Sequence, residues 1–170
     1  MNCLRYSSIQ NRLFSLLILV IAVVIAWGAF VPSALAIDYS KADLRNRDFS
    51  HQDLTDYVLR NADLRDSDLS YSNLRGVRLF AAKLDRANLE GADMSYVTLG
   101  SATLRKANLT NTVLEGALAA NSKFKGAIID GADFTDALLS PSAVDLLCKV
   151  AKGTNPKTGR DTKESLLFCF

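Results

Sequence analysis

From Leu44 to Leu139 every fifth residue is large and apolar: Leu44, Phe49, Leu54, Leu59, Leu64, Leu69, Leu74, Leu79, Leu84, Leu89, Met94, Leu99, Leu104, Leu109, Leu114, Phe124, Ile129, Phe134 and Leu139. Ala119 is the one exception in the series. A step of five cannot make an amphipathic helix, because about 100° per residue winds successive centres around the whole cylinder. It cannot make a straight strand either, since side chains alternate faces with a period of two and an odd step sends successive centres to opposite sides. The chain must bend once per repeat, as a short extended piece followed by a turn. The centre and the residue two before it then point inward, and the residue between them points outward.

Residue sizes follow this scheme. Two before the centre stand small residues such as Ala62, Ala87, Ala107, Ala132, Ser67, Ser72, Ser122 and Thr112. Immediately before the centre stand polar residues such as Asp53, Asp63, Asp93, Asn73, Asn88 and Asn108, suited to water or turn hydrogen bonds. Ala119 is expected to leave a weak point unless neighbours fill its gap.

Runs such as Ala62-Asp63-Leu64-Arg65, Ala87-Asn88-Leu89, Gly91-Ala92-Asp93-Met94 and Ala107-Asn108-Leu109 resemble the pentapeptide-repeat family, with its motif A-(D/N)-L-x-x. The resemblance implies an all-β solenoid: a right-handed quadrilateral β-helix of about five coils, four pentapeptides to the coil. At a strand spacing of about 4.8 Å the tube is roughly 24 Å long.

The ends break the pattern. Residues 1–36 combine Arg5 and Arg12, an apolar stretch from Leu13 to Val31, and Ala34-Leu35-Ala36. This reads as a signal peptide with an A-x-A cleavage site, with an uncleaved anchor as the alternative. The β-helix is placed at 37–140 and a short α-helical C-terminal cap at 141–170. Ser140-Pro141 reads as a helix start, Val144, Leu147, Cys148 and Val150 or Ala151 as its apolar face, and Gly153 as its stop. Asp161-Thr162-Lys163-Glu164 resembles a second start with a capping box, leading into Leu166 and Leu167. In the first coil Arg47, Gln52 and Tyr57 occupy inner corners. They are expected either to fold over the tube with Tyr39 as a lid or to leave the coil loose.

Twenty Lys and Arg stand against eighteen Asp and Glu. Both surplus cations lie in the leader, so the remainder is neutral and lacks the field that nucleic acid binding demands. Cys148 and Cys169 form an even pair in an exported chain, which suggests a disulfide closing the cap. A structural bridge and a redox switch both fit, and no C-x-x-C motif supports redox catalysis. The segments Leu147-Cys148-Lys149, Gly153-Thr154-Asn155-Pro156, Thr158-Gly159 and Cys169 resemble the C-terminal extension of thylakoid-lumenal members of the family. With a single leader, the cyanobacterial type fits. Thylakoid lumen and periplasm stay open.

No catalytic constellation, cofactor motif or metal-ligand spacing appears. His51 stands alone and reads as a solvated turn residue. The expected role is a non-enzymatic exported scaffold or protein-binding module, as a monomer or weak homodimer, touching membrane only through its leader or weak surface contact. A redox-responsive lumenal regulator is the alternative. A DNA-mimicking gyrase binder ranks lower, because such surfaces are strongly acidic and cytoplasmic.

Stacking in fours sorts the outward residues into columns. Val58, Phe80, Thr98, Leu118 and Leu138, with Gly100 and Ala120, make a largely apolar stripe that either the C-terminal tail or a partner covers. Lys83, Arg86, Arg105, Lys106, Lys123 and Lys125 make a basic face. It is read as a solvated surface or as an attraction for anionic lipid or an acidic partner.

Overall fold

A computed structural model describes residues 36–167 and 169. The targeting segment expected over residues 1–36 lies, Ala36 apart, outside the described residues. From Ile37 onward the chain winds as a parallel β-solenoid. Strands β1 (Ile37–Asp38) and β2 (Tyr57–Val58) pair in parallel, as do β3 (Leu118–Ala119) and β4 (Leu138–Leu139). Between them single parallel bridges join residues twenty apart, from Asp43 with Asp63 through Val113 with Asp133. A period of five does not by itself say how many repeats close a coil. The twenty-residue step of the bridges does, because only a four-sided coil brings those backbones together.

Each repeat is built by the same local bonds. The carbonyl of a centre accepts the amide three residues on, as in Ala82 N to Leu79 O at 3.0 Å and Ala87 N to Leu84 O at 3.1 Å. The residue before that donor takes a left-handed φ: 58° at His51, 55° at Ala81, 60° at Arg86. Such a φ at the third turn position belongs to a type II turn, where most residues are strained, so the ladder must offset a cost at every corner. The outward Asp or Asn begins the next straight piece. Its Oδ1 accepts the amide two residues on, at 2.9 Å for Asp68 with Ser70 and 3.1 Å for Asn108 with Thr110. This local bond explains Asp and Asn there. The side chains also stack between coils, Asn108 Nδ2 donating to Asn88 Oδ1 and Asn88 Nδ2 to Asp68 Oδ1, each at 3.1 Å.

The core runs along the tube axis. The centres from Leu54 through Leu114 are almost fully buried, while Phe49 and Leu139, near the ends, are partly buried. The inner alanines from Ala62 to Ala117 are closed to solvent. Glycine is required where an aromatic ring lies flat over the next rung: a Cβ at Gly91, whose φ is +65°, would stand 2.5 Å from the Tyr71 ring.

Ala119 is 1% exposed. In the same turn of chain Phe124 and Phe134 are buried and meet edge to face, ring centroids 6.4 Å apart. These two rings are bulkier than the leucines of the coils before, which leaves less room in the bore for a leucine at 119. An Ala119→Leu variant is therefore expected to lose about 1–3 kcal/mol by overpacking, read from urea unfolding. A gain in stability would show that the site holds an unfilled void.

At the N-terminal end the expected lid forms only in part. Tyr39 stacks on half-buried Tyr57 at 5.5 Å. Arg47 and Gln52 turn out to solvent, because a charged or amide head cannot be satisfied over an apolar bore. His51 is exposed at a corner and stacks on Tyr71 at 5.2 Å.

After β4 the helix α1 (Pro141–Cys148) puts Ala143 and Leu147 into the core. It ends at Cys148 with Lys149 as C-cap, five residues short of the stop expected at Gly153, and Val150 is 49% exposed. Gly153, at φ +84°, serves another purpose: a Cβ there would lie 3.0 Å from the Gly131 amide, so glycine lets the tail lie against the tube. The single-turn helix α2 (Thr162–Ser165) starts at Asp161, whose carboxylate accepts the amides of Lys163 at 2.8 Å and Glu164 at 3.2 Å. Leu166 after it is buried and Leu167 is 59% exposed.

Candidate functional site: the outer faces

Four faces follow from the four-sided coil. The first is centred on Leu44 and Leu64, the second on Phe49 and Leu69, the third on Leu54 and Leu74, the fourth on Leu59 and Leu79. Each carries outward side chains from successive coils in columns.

The C-terminal tail covers the C-terminal half of the third face and not the fourth, contrary to the covering reading of the apolar stripe. Asn155, fully buried, drives this placement. Its Nδ2 donates to the carbonyls of Gly131 at 2.8 Å, Asn111 at 3.2 Å and Thr112 at 3.3 Å, and its Oδ1 accepts the amides of Lys157 and Thr158. The Gly131 amide donates to Lys152 O at 2.9 Å, and the Phe134 amide to Ser165 Oγ at 3.0 Å. Lys157 Nζ meets Asp93 Oδ2 at 2.8 Å. Burial pushes the Asp93 acid up, but the bonds from Lys157 and Ser95 outweigh it and hold the carboxyl below its ordinary range. Asp133 behaves alike. Its burial is outweighed by the hydroxyl and amide of Thr135, with the Arg160 guanidinium 3.9 Å away.

Cys148 and Cys169 are joined by a disulfide with Cα atoms 5.4 Å apart. The bridge ties the end of the tail to α1. Asn155, Ser165 and Leu166 also hold the tail to the tube through contacts of their own.

The fourth face is left bare. Bridges place Val58, Arg78, Thr98, Leu118 and Leu138 in one column. Exposed Arg78 interrupts the apolar stripe between Val58 and Thr98, a residue missed because the repeat-by-repeat reading passed over it. The apolar surface is continuous only toward the C-terminal end. Phe80 is 43% exposed and lies over Gly100, where a Cβ would stand 3.2 Å from the ring; Leu118 is 45% exposed and Leu138 63%. Beside Leu138 opens an apolar cavity of about 350 Å³, lined by Phe134, Leu139, Pro141, Val144, Leu166 and Leu167 among others, with Asp145 at its edge. No sequence pattern announced this cavity, because its walls come from the last coil, α1 and the tail.

The first face divides by charge. Arg65 forks onto Asp63, with Nη2 2.6 Å from Oδ2, and Lys83 stands 3.9 Å from the same carboxylate. Arg86 forks onto Asp66 through Nε and Nη2, both at 2.6 Å. These forks hold the Asp63 and Asp66 acids below the ordinary carboxylate range. Farther along, Arg105, Lys106, Lys123 and Lys125 are exposed, and Asp85 meets Arg105 only at the backbone amide, at 2.9 Å.

Among the described residues no group of three or more His, Cys, Asp or Glu is placed to hold a metal ion. Nor is any described helix long and apolar enough to cross a membrane.

A sequence model of the family described as pentapeptide repeats matches residues 42–79, 72–111 and 102–140. Two curated proteins of Arabidopsis thaliana are similar over short stretches. Thylakoid lumenal protein TL20.3, chloroplastic, is 56% identical over 41 residues, covering 24% of this chain and 15% of its own length. Thylakoid lumenal 15 kDa protein 1, chloroplastic, is 51% identical over 47 residues, covering 28% and 21%. The chain thus spans 15% and 21% of the length of those relatives. Among solved structures, a pentapeptide repeat protein from the Arabidopsis thaliana thylakoid lumen shares 37% identity over 74% of this chain and 87% of its own, with a TM-score of 0.40. A pentapeptide repeat protein (Rfr23) from the cyanobacterium Cyanothece 51142 shares 28% identity over 58% and 64%, with a TM-score of 0.50. With the repeat signature running unbroken over residues 42–140 and its backbone wound as a β-helix, the chain belongs to the pentapeptide repeat family.

Proposed function

We propose that this chain is a non-enzymatic scaffold of the thylakoid lumen that docks a protein partner on the fourth face of its tube. In this reading residues 1–36 export it, residues 37–140 form five rigid coils, and residues 141–170 cap the C-terminal end of the core, pinned by Cys148 and Cys169. The lumenal address is supported by the leader pattern and by the lumenal relatives.

One observation carries the docking role. Phe80, Leu118 and Leu138 stay exposed on one flat face and lead into an apolar cavity, although the chain has a tail that could have covered them. Contiguous apolar area of this kind is uncommon on a soluble surface and marks contact sites. A partner inserting one apolar side chain beside Leu138 would gain a desolvated anchor, the usual seat of binding energy.

The test is affinity capture from thylakoid lumen with the wild-type chain and with a Leu118→Asp, Leu138→Asp double variant, compared by quantitative mass spectrometry. A partner enriched by the wild type and lost with the variant, at unchanged melting temperature, is the expected result. Equal capture by both removes this face from consideration. The second reading, a redox-responsive lumenal regulator, is favoured by the place of the bridge. Cys169 lies two residues past Leu167, a wall of the cavity, so reduction would loosen the cavity rim. Running the capture with and without reductant separates the two.

A further inference from the structure

The first face keeps positive charge that the fold leaves unneutralised. Lys83 and Arg86 are matched by Asp63 and Asp66. One and two coils on, Arg105, Lys106, Lys123 and Lys125 form no ion pair among the described residues. Thr103 bridges Lys123, so Arg105 and Lys125 occupy neighbouring rungs, about 4.8 Å apart along the tube. Like charges at that spacing repel, and the Asp85 carboxylate, one rung back at the Arg105 amide, is the one acid beside them in this column.

Next to these cations the chain stops coiling. Helix α1 begins there, and its first turn closes a recess of about 290 Å³ lined by Arg105, Lys123, Lys125, Phe124 and Ser142 among others. No carboxylate lines it. The N-terminal end of α1 adds the positive pole of its peptide dipoles to the three cations. The recess therefore suits a small oxyanion, a phosphate or sulfonate group.

We infer that this recess and the cations around it seat anionic lipid headgroups, laying the first face of the tube on a membrane surface. Away from the recess the face is open, and three of its four free cations are lysines, point charges on flexible stems that suit an array of mobile headgroups. An acidic protein is disfavoured because this face has no apolar anchor to give a protein contact its affinity. With the first face on the bilayer, the fourth face stands beside it, pointing along the membrane. The inference is independent of the docking role of the fourth face.

The test uses residues 36–170, a compact unit containing the whole described core, once a cooperative melt shows that it folds by itself. The unit is sedimented with vesicles of phosphatidylcholine alone and of phosphatidylcholine mixed with phosphatidylglycerol. Binding to the mixed vesicles only, weakened by salt, is expected. Each surface cation contributes about fivefold to such partitioning, so Lys123→Glu with Lys125→Glu should reduce it at least about 25-fold. Lys149→Glu with Lys163→Glu, the same change of net charge elsewhere, should leave most of it. Equal loss in both pairs would reduce the effect to net charge and overturn the site. Absence of binding to either vesicle would overturn it as well. Titration with inorganic phosphate is the remaining arm: a bound phosphate without vesicle binding would make this a site for a free anion, and the membrane reading would fall.

Discussion

Replacing Asn155 with alanine is expected to lower the unfolding free energy by about 3–5 kcal/mol and to strip protection from the tail before the β-helix itself opens. The side chain is fully buried, and its amide joins Asn111, Thr112 and Gly131 to the loop that carries Lys157 and Thr158. Alanine removes both ends of this clamp at once. Three carbonyls and two amides then lose a partner, and each buried polar group left unpaired costs about 1–3 kcal/mol, partly recovered where water can enter. Asn155→Asp is the sharper control, because it keeps the acceptor side and size while destroying the donor side. Urea unfolding measures the loss, and hydrogen exchange over residues 152–166 shows where it falls. A change under about 1 kcal/mol for Asn155→Ala would mean that the tail is held mainly by the disulfide and Leu166.

Phe134→Ala is the second large effect, at about 3–5 kcal/mol. The ring is 2% exposed, packs edge to face on Phe124, and walls the apolar cavity beside Leu138. Truncation removes the transfer energy of the ring and the aromatic pair, and leaves a void continuous with the cavity that neighbouring coils cannot collapse into. The ladder of the coil before it holds the backbone on one side and the Ser165 bond holds it on the other, which limits relaxation. Phe134→Leu retains most of the volume and should cost about 1 kcal/mol. The cavity variant should also bind more of an environment-sensitive apolar dye in the folded state. Unfolding midpoints that match within error for the alanine and leucine variants would show that this end of the tube repacks freely.

Both variants act at the junction of coil and tail, where the candidate surfaces converge. The fourth face ends at Leu138 and its cavity, the first at Lys125 and the recess under α1. A tube of this kind supplies no reactive pocket in its bore, since inner alanines and centres fill it. Its distinctive chemistry therefore lies on flat faces and at the end, where non-repeating chain meets repeating chain.

The solenoid was legible in the residues because burial and backbone geometry repeat together. Small residues and centres alternate with outward Asp and Asn at one spacing, and the same Asx bonds recur from Asp48 to Asp133. The left-handed corners at Tyr71, Arg86 and Lys106 were not legible, because the residue types there are not those that favour that conformation. They are held by the ladder on both sides rather than by propensity. Arg78 in the apolar column is visible in the sequence itself, as the residue twenty beyond Val58 and twenty before Thr98. The lid is smaller than the inner-corner positions of Arg47 and Gln52 imply, because their polar heads find water more readily than a place over the core.

By itself the sequence determined which side of the chain faces inward, repeat after repeat, because volume and polarity with a five-residue period can be satisfied only by a narrow tube. Only the tertiary structure decided which face the tail covers, and hence which faces stay free. Central to that choice is a side-chain amide reaching backbone carbonyls 24 to 44 residues away, a pairing that composition and periodicity do not encode.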